Sequence, residues 1–360
     1  MLVRPMTQPA ATAPRRARGT ADRFGAIAVG LLFIAAIIVL SGQSPFEVLG
    51  AMITGAFGTD DQFARVLSTL VPMTLCACGL IFTFNAGLYN LGVEGQMIAG
   101  GIAATLALRL LQDAAPGAPA IIGGLLAGVL GGTLWALLAG GLNVGFRISE
   151  IFAGLGLNFV AQGLAVYLIF GPWKRPGVAS MSGTAPFPDS VWLPSVGNTE
   201  ASPIALAIAG AALIFTVIVM RNTYFGLRLR AVGLNSRAAT VQGLPSTRYM
   251  LSAFALCGAF AGMAGALQVL AVFHRLIPNI SSNLGFLSLL IVMLGNFNAL
   301  MVLPVAAFFS VLNVGSLALP IQFQLESALA GVIQGALVLS AVIGRGLSQL
   351  GARPGRSGKH

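Results

Sequence analysis

Charge is what this sequence has least of. Only 8% of its 360 residues are charged, against roughly 25% in a typical soluble domain. A soluble fold of this length needs far more polar surface to stay dispersed, so the bilayer is the expected solvent. Together with a hydrophobic content of 56%, the shortage excludes intrinsic disorder, collagen and coiled coil. Cysteine is scarce as well. Cys76, Cys78 and Cys257 all lie in apolar runs, and an odd number in lipid gives neither a disulfide framework nor metal-ligand spacing, so they read as small packing residues. Of the two histidines, His274 stands beside Arg275 at an outer helix end and His360 lies in the tail; neither resembles a metal site. The chain also lacks a Gly-x-Ser-x-Gly elbow and paired carboxylates. Its tail, Gly355-Arg356-Ser357-Gly358-Lys359-His360, resembles a P-loop only superficially, because position 353 is Arg, His follows Lys359 and no strand precedes it. No cofactor, no metal and no enzymatic activity are expected.

Apolar length is what the sequence has in abundance, with a mean hydropathy of +0.88. A helix needs about 20 apolar residues to cross the hydrocarbon. Ten candidate spans follow: 25–41, 65–84, 93–111, 119–142, 150–170, 203–220, 249–272, 284–297, 300–318 and 326–344. The eighth is short. The expected fold class is an all-α polytopic membrane protein, with a disordered basic tail over 1–24, a transmembrane domain over 25–344 and a second basic tail over 345–360. With the N-terminus inside, 15 of the 20 cations fall on inner segments, as the positive-inside rule requires. Both termini are then cytoplasmic. The longest outer loop, 171–202, carries Trp173 and Trp192 near its ends, where interfacial anchors are expected.

By this parity the second span runs out-to-in and the seventh in-to-out. Residues 65–170 and 249–344 would then be four-helix repeats of opposite orientation, a common way to build a transport path near the midplane. Ten helices without a repeat is the plainer alternative. Gly124, Gly128, Gly132, Ala136 and Gly140 form one small-residue stripe, and Gly258, Gly262, Gly265 and Ala266 another; packing within this chain is their expected role. Pro304 is read as a kink.

Two segments break the apolar pattern. The first runs from Asn85 to Gln96. It has no Lys or Arg, three glycines that loosen a helix, and Asn85, Asn90, Glu94 and Gln96 to supply hydrogen bonds. A carboxylate in lipid costs about 2.5–3.5 kcal/mol, so Glu94 must face protein, water or a partner. The segment is either a broken helix lining a translocation path or an ordinary inner loop. Asn158 and Gln162, four apart on one helix face, and Asn296 are the next candidates for that path. Gln268 and Glu326 are further polar positions, each expected to make interhelical hydrogen bonds. The second segment is the basic inner loop 221–248. Asn235 or Ser236 can cap a short helix through Ala238-Ala239, stopped by Gly243 and Pro245. Such a helix is either a connector on anionic lipid heads or a knob that docks on a soluble motor.

The run Asn85-Ala86-Gly87-Leu88-Tyr89-Asn90-Leu91-Gly92-Val93-Glu94-Gly95-Gln96-Met97 resembles the signature of permease subunits of bacterial ABC importers, in the branched-chain amino acid/ribose permease superfamily. Its core, Gly92 to Gln96, is similar to the nucleoside and simple-sugar branch. Arg230-Ala231-Val232-Gly233-Leu234-Asn235-Ser236-Arg237-Ala238-Ala239 resembles the loop by which such permeases contact their ATP-binding subunits. Weaker likenesses lie around Glu150 and Asn158, at Gly295-Asn296-Phe297-Asn298-Ala299 and at Ile333-Gln334-Gly335, so that the resemblance spans about 65–345. The family pattern is broken at Ser149, at Ala153 to Gly156 and at Ala299.

The resemblance implies a multi-pass permease of the bacterial inner membrane that imports a small polar solute, a nucleoside first and a simple sugar second. It implies ATP-binding subunits, a second permease subunit and an extracytoplasmic solute-binding protein as partners, and no nucleic acid. Gly233, Asn235, Ala238, Ala239 and Gly243 would form the coupling helix. The competing reading is an ion-coupled secondary transporter that uses Glu94 or Glu326 and needs no motor. A non-transporting scaffold is the third.

Overall fold

The computed structural model describes residues 42–175, 183–197 and 199–323, with a few isolated positions beside them. The expected first and last spans, both tails and Glu326 lie largely or wholly outside these residues. Every regular element among the described residues is helical. The helices are α1 (Pro45–Phe57), α2 (Asp60–Asn85), α3 (Val93–Leu111), α4 (Ala118–Phe146), α5 (Glu150–Phe170), α6 (Pro203–Asn222), α7 (Tyr224–Leu234), α8 (Ser236–Val241), α9 (Ser246–Leu267), α10 (Leu284–Leu294), α11 (Val302–Ser316) and α12 (Ala318–Phe323). The chain divides into a compact unit, Gly50–Leu319, and a second unit formed by Met1–Leu49 and Pro320–His360. Everything below concerns the first.

Helix limits follow local chemistry. Thr59 caps α2 by accepting from the Gln62 amide at 3.2 Å, and Asp60 and Asp61 in the first turn complement the helix dipole. This cap starts α2 five residues before the expected span, and α1 occupies what reads from sequence as an outer connection. Pro119 opens α4 and Arg147, in the left-handed conformation at φ 57°, closes it. Thr223 caps α7 on the Gly226 amide at 3.2 Å.

Six of the helical segments are long and apolar enough to cross a membrane: Asp60–Asn85, Ala118–Phe146, Glu150–Phe170, Pro203–Asn222, Ser246–Phe273 and Ala299–Phe323. The third expected span coincides with α3, whose 19 residues include Glu94, Gln96 and Arg109. The eighth is shorter than expected. At 11 residues, α10 reaches about 16 Å, half of a hydrocarbon core of about 30 Å.

Two helices sit centrally. The apolar windows of α2 and α9 are 78% and 67% buried, whereas those of α4, α5 and α6 are 22–28% buried and keep one face outward. On α4 the division is sharp. Leu126, Leu130, Leu134 and Leu138 are exposed along one face, and Gly124, Gly128, Gly132, Ala136 and Gly140 are buried along the other. That stripe packs against Gly258, Gly262 and Ala266 of α9 so closely that a Cβ on Gly132 would strike the Gly258 carbonyl and the Gly262 backbone. Both stripes therefore pack within the chain. Lipid tails are as apolar as leucine, so the attraction here comes from backbone-to-backbone contact over a smooth surface.

Candidate functional site

The polar segment 85–96 ends α2, turns over 86–92 and opens α3, with Asn90, Glu94 and Gln96 buried and Gly87 and Tyr89 exposed. Asn85 ends α2, its Nδ2 donating to the Ile81 carbonyl at 2.8 Å, and Gly87 takes φ +77° to turn the chain. The carboxamides of Asn90 and Gln96 pair reciprocally, both at 3.2 Å, and the Asn90 side chain also accepts from the Gly92 amide at 3.1 Å. Asn90 Nδ2 further reaches Cys257 Sγ at 3.1 Å. From α5, Asn158 accepts from the Gly95 amide at 2.8 Å and donates to the Leu91 carbonyl at 2.9 Å. It thereby satisfies one of the donors that the start of α3 leaves open. Three of the expected path residues thus form one network, and its polar atoms are spent on one another and on backbone. Glu150 adds to it at a distance, accepting from the Tyr89 amide at 3.4 Å and from Asn143 at 3.1 Å.

Glu94 points the other way. It is 5% exposed, and its Oε2 accepts from the Phe286 amide at 3.1 Å in the first turn of α10. A carboxylate there complements the helix dipole and fills an orphan donor. Gly285 lies against it with no room for a Cβ. The polar connection 274–283 runs from the end of the long span Ser246–Phe273 to the half-length α10. Gln162 holds this segment by donating to the Pro278 carbonyl at 2.6 Å. Asn158 and Gln162 share a face of α5, as their spacing predicts, but serve different partners. Asn296 is remote from Glu94, beyond the opposite end of α10. It takes φ +55° beside Phe297, whose ring lies 5.3 Å from that of Phe84.

A cavity of about 310 Å³ opens beside the connection 274–283. Arg65, Ser68 and Thr69 of α2, Glu200, Gln268, Ser282 and Asn313 supply its polar lining, and Val272, Phe273, Leu284 and Leu317 its apolar walls. Gln268 begins a π-helical turn, Gln268–Phe273, that continues α9. Such turns are rare and gather at functional sites. Arg65 and Glu200 pair at 3.6 Å, both about half exposed. Thr69 and Asn313 escape the sequence reading because each is one of several polar residues scattered along its helix, without a motif to mark it.

Above this site, residues 184–193 strap onto the end of α9. The amides of Thr184, Phe187 and Leu193 donate to the carbonyls of Leu276, His274 and Leu270 at 2.9–3.0 Å. Trp192 stacks on His274 with ring centroids 3.9 Å apart. Burial lowers the His274 imidazole below its ordinary range, against the opposing pull of the Leu270 carbonyl and Asp189. Trp173 receives the Arg109 guanidinium on its face at 5.6 Å.

At the other end of the unit, α7 and α8 form a short basic projection. Asn235 caps α8 by accepting from the Ala238 amide at 3.0 Å, and Gly243, at φ +87°, ends the turn that follows. Of the expected coupling residues, Asn235, Ala238 and Gly243 are exposed. Ala239 is buried, and Gly233 packs on the Asn85–Ala86 backbone. The surface open to a partner includes Leu234 and Val241, each 89% exposed. Sequence alone does not single them out, because Leu227, Leu229, Val232 and Leu244 lie in the same loop.

Known proteins are similar over most of this length. The family described as branched-chain amino acid transport system / permease component matches residues 62–342. A glucose ABC transporter permease protein of Haloferax volcanii is 30% identical over 325 residues, covering 87% of this chain and 83% of that protein. A guanosine ABC transporter permease protein of Bacillus subtilis is 26% identical over 87% of this chain and 90% of its own length. A nucleoside ABC transporter permease protein of Lactococcus lactis is 25% identical over 81% of this chain and 82% of its own. With six membrane-length helices among the described residues and a family match over more than three quarters of its length, this chain belongs to the family of permease components of branched-chain amino acid transport systems.

Proposed function

We propose that the chain is the membrane-spanning permease of an ATP-driven importer and that its cargo is a nucleoside, with a simple sugar as the second reading. The likeness to the guanosine and nucleoside permeases over more than four fifths of the chain carries the first. The likeness to the glucose permease favours the second. The chain performs no bond chemistry. ATP is hydrolysed on separate ATP-binding subunits, a solute-binding protein delivers cargo, and a second permease subunit, similar or identical, completes the path.

The membrane is the bacterial inner membrane, with both termini cytoplasmic. In this orientation the projection of α7 and α8, with Arg228, Arg230 and Arg237, faces the cytosol, and the cavity around Gln268 faces outward. The ATP-binding subunits grip α8 through Leu234, Ala238 and Val241. Their closure moves α8, and through the Gly233–Asn85 contact it moves the polar turn and α3. Glu94 transmits this motion to α10, so that the cavity opens alternately to each side. The inverted-repeat reading draws support from the burial of α2 and α9, the first helices of the two repeats. Burial of Ala239 moves the test of docking from that residue to Leu234 and Val241.

Uptake of labelled guanosine by cells with the complete importer tests the cargo. Saturable uptake, competed by other nucleosides and weakly by glucose, is expected. Uptake of glucose unaffected by nucleosides would overturn the first reading in favour of the second.

A further inference from the structure

Most polar side chains inside this unit have their hydrogen bonds met. Gln268 is one of the exceptions, and the one among them that lines the outer cavity. It is 95% removed from solvent, yet its Oε1 has no hydrogen-bond partner among the described residues. It also lines the outer cavity, from the first position of the π-turn. Burying an acceptor without a partner is costly, and in native structures such a group calls for an explanation.

The surroundings specify what would satisfy it. The Ser68 hydroxyl is engaged with the Glu200 carbonyl at 2.6 Å. Arg65 and Glu200 face each other at the cavity and offset one another's charge. What remains is an amide acceptor, the side chains of Thr69 and Asn313, and apolar walls that include Phe273 and Leu284. A volume of about 310 Å³ lies at the lower end of small-molecule sites. Such a site suits an uncharged molecule with one apolar face and N–H or O–H donors at its edge. It offers an ion no uncompensated charge, because Arg65 and Glu200 already face each other.

We infer that Gln268 is a specificity-determining contact of the path, its Oε1 accepting a hydrogen bond from an N–H or O–H of an uncharged cargo as the cargo leaves the solute-binding protein. This inference deepens the importer reading and rests on it. Nucleosides and sugars both supply such donors, so the two sources are separated by experiment.

The test uses the complete importer in vesicles, with labelled guanosine and labelled glucose as probes. A separate solute-binding protein sets half-saturation, so the readout is the maximal uptake rate together with ATP hydrolysis by the same complex. Gln268→Met keeps the length of the side chain and removes the acceptor. Because the lost group has no partner within the protein, the melting temperature is expected to hold or rise. Maximal uptake of the transported probe is expected to fall about tenfold, as for one lost hydrogen bond, with ATP hydrolysis preserved. Gln268→Asn retains the amide one methylene further back and is expected to fall between the two; it also serves should Gln268→Met not assemble. An unchanged maximal rate overturns the inference, and so does a joint loss of uptake and ATP hydrolysis, which marks a merely structural role. If the unsubstituted importer carries glucose and not guanosine, the nucleoside reading fails, and the Gln268 comparison is decided on glucose.

Discussion

The polar turn at 85–96 and the cavity around Gln268 are both lined by amides, yet they differ in how those amides are used. In the turn, Asn90, Gln96 and Asn158 are spent on one another and on the backbone of residues 91–95. In the cavity, the buried Oε1 of Gln268 has no partner among the described residues. The lesson is that a polar residue in a membrane helix has two distinct uses. Where its bonds are filled, it fixes a backbone that would otherwise be unsatisfied in lipid. Where one is left open beside a cavity, it is available to a ligand. Sequence reasoning groups these residues together because their type and apolar surroundings are alike.

The closed region should break first. Gly132→Val places carbon against the Gly258 carbonyl and the Gly262 backbone and is expected to cost about 3 kcal/mol or more, read as loss of folded protein on size exclusion in detergent. Gly141 of the same helix faces open space, so Gly141→Val should fold normally. Next in size, Asn158→Leu leaves the Gly95 amide and the Leu91 carbonyl without their bonds. A loss of about 1–3 kcal/mol is expected, visible as a lower melting temperature.

In the projection of α7 and α8 the same contrast appears between neighbours. Val241→Asp should leave the melting temperature unchanged and abolish co-purification of the ATP-binding subunits, because the side chain is exposed. Ala239→Arg should instead disrupt α8, since Ala239 is buried. The smallest effect belongs to His274. Its imidazole is held below the ordinary range, so the folded protein resists a proton that the unfolded chain accepts. Stability is then fully present above about pH 6.5 and declines as pH falls through and below that value. Melting at about pH 7.5 and pH 5.5 should show a decline that shrinks in His274→Gln.

Much of the fold was legible in the sequence. Apolar length and Gly/Pro breaks located α3 and α5 to the residue and α6 to within two, and the cap at Asn235 with the stop at Gly243 formed as their residue types predict. Their signals are local. Two features were not legible. The connection 274–283 is flanked by apolar helices on both sides, and its polar support comes from Glu94 and Gln162, far away in sequence. The polar run 85–96 reads from sequence either as a broken helix or as an inner loop, and only the fold shows Asn90 and Gln96 turned on one another. The candidate residues divide the same way: Asn85, Asn90, Gln96 and Asn158 bond within turns and helix ends, and the cavity residues Thr69 and Asn313 carry no motif.

The central claim is that energy reaches this permease from ATP through a cytosolic grip on α8. Inside-out control of ATP in vesicles holding the whole importer tests it most directly, with guanosine uptake followed in the presence and absence of a proton gradient. The account predicts uptake that requires ATP and the ATP-binding subunits and is indifferent to collapse of the gradient. Uptake that persists without those subunits and follows the gradient would contradict it.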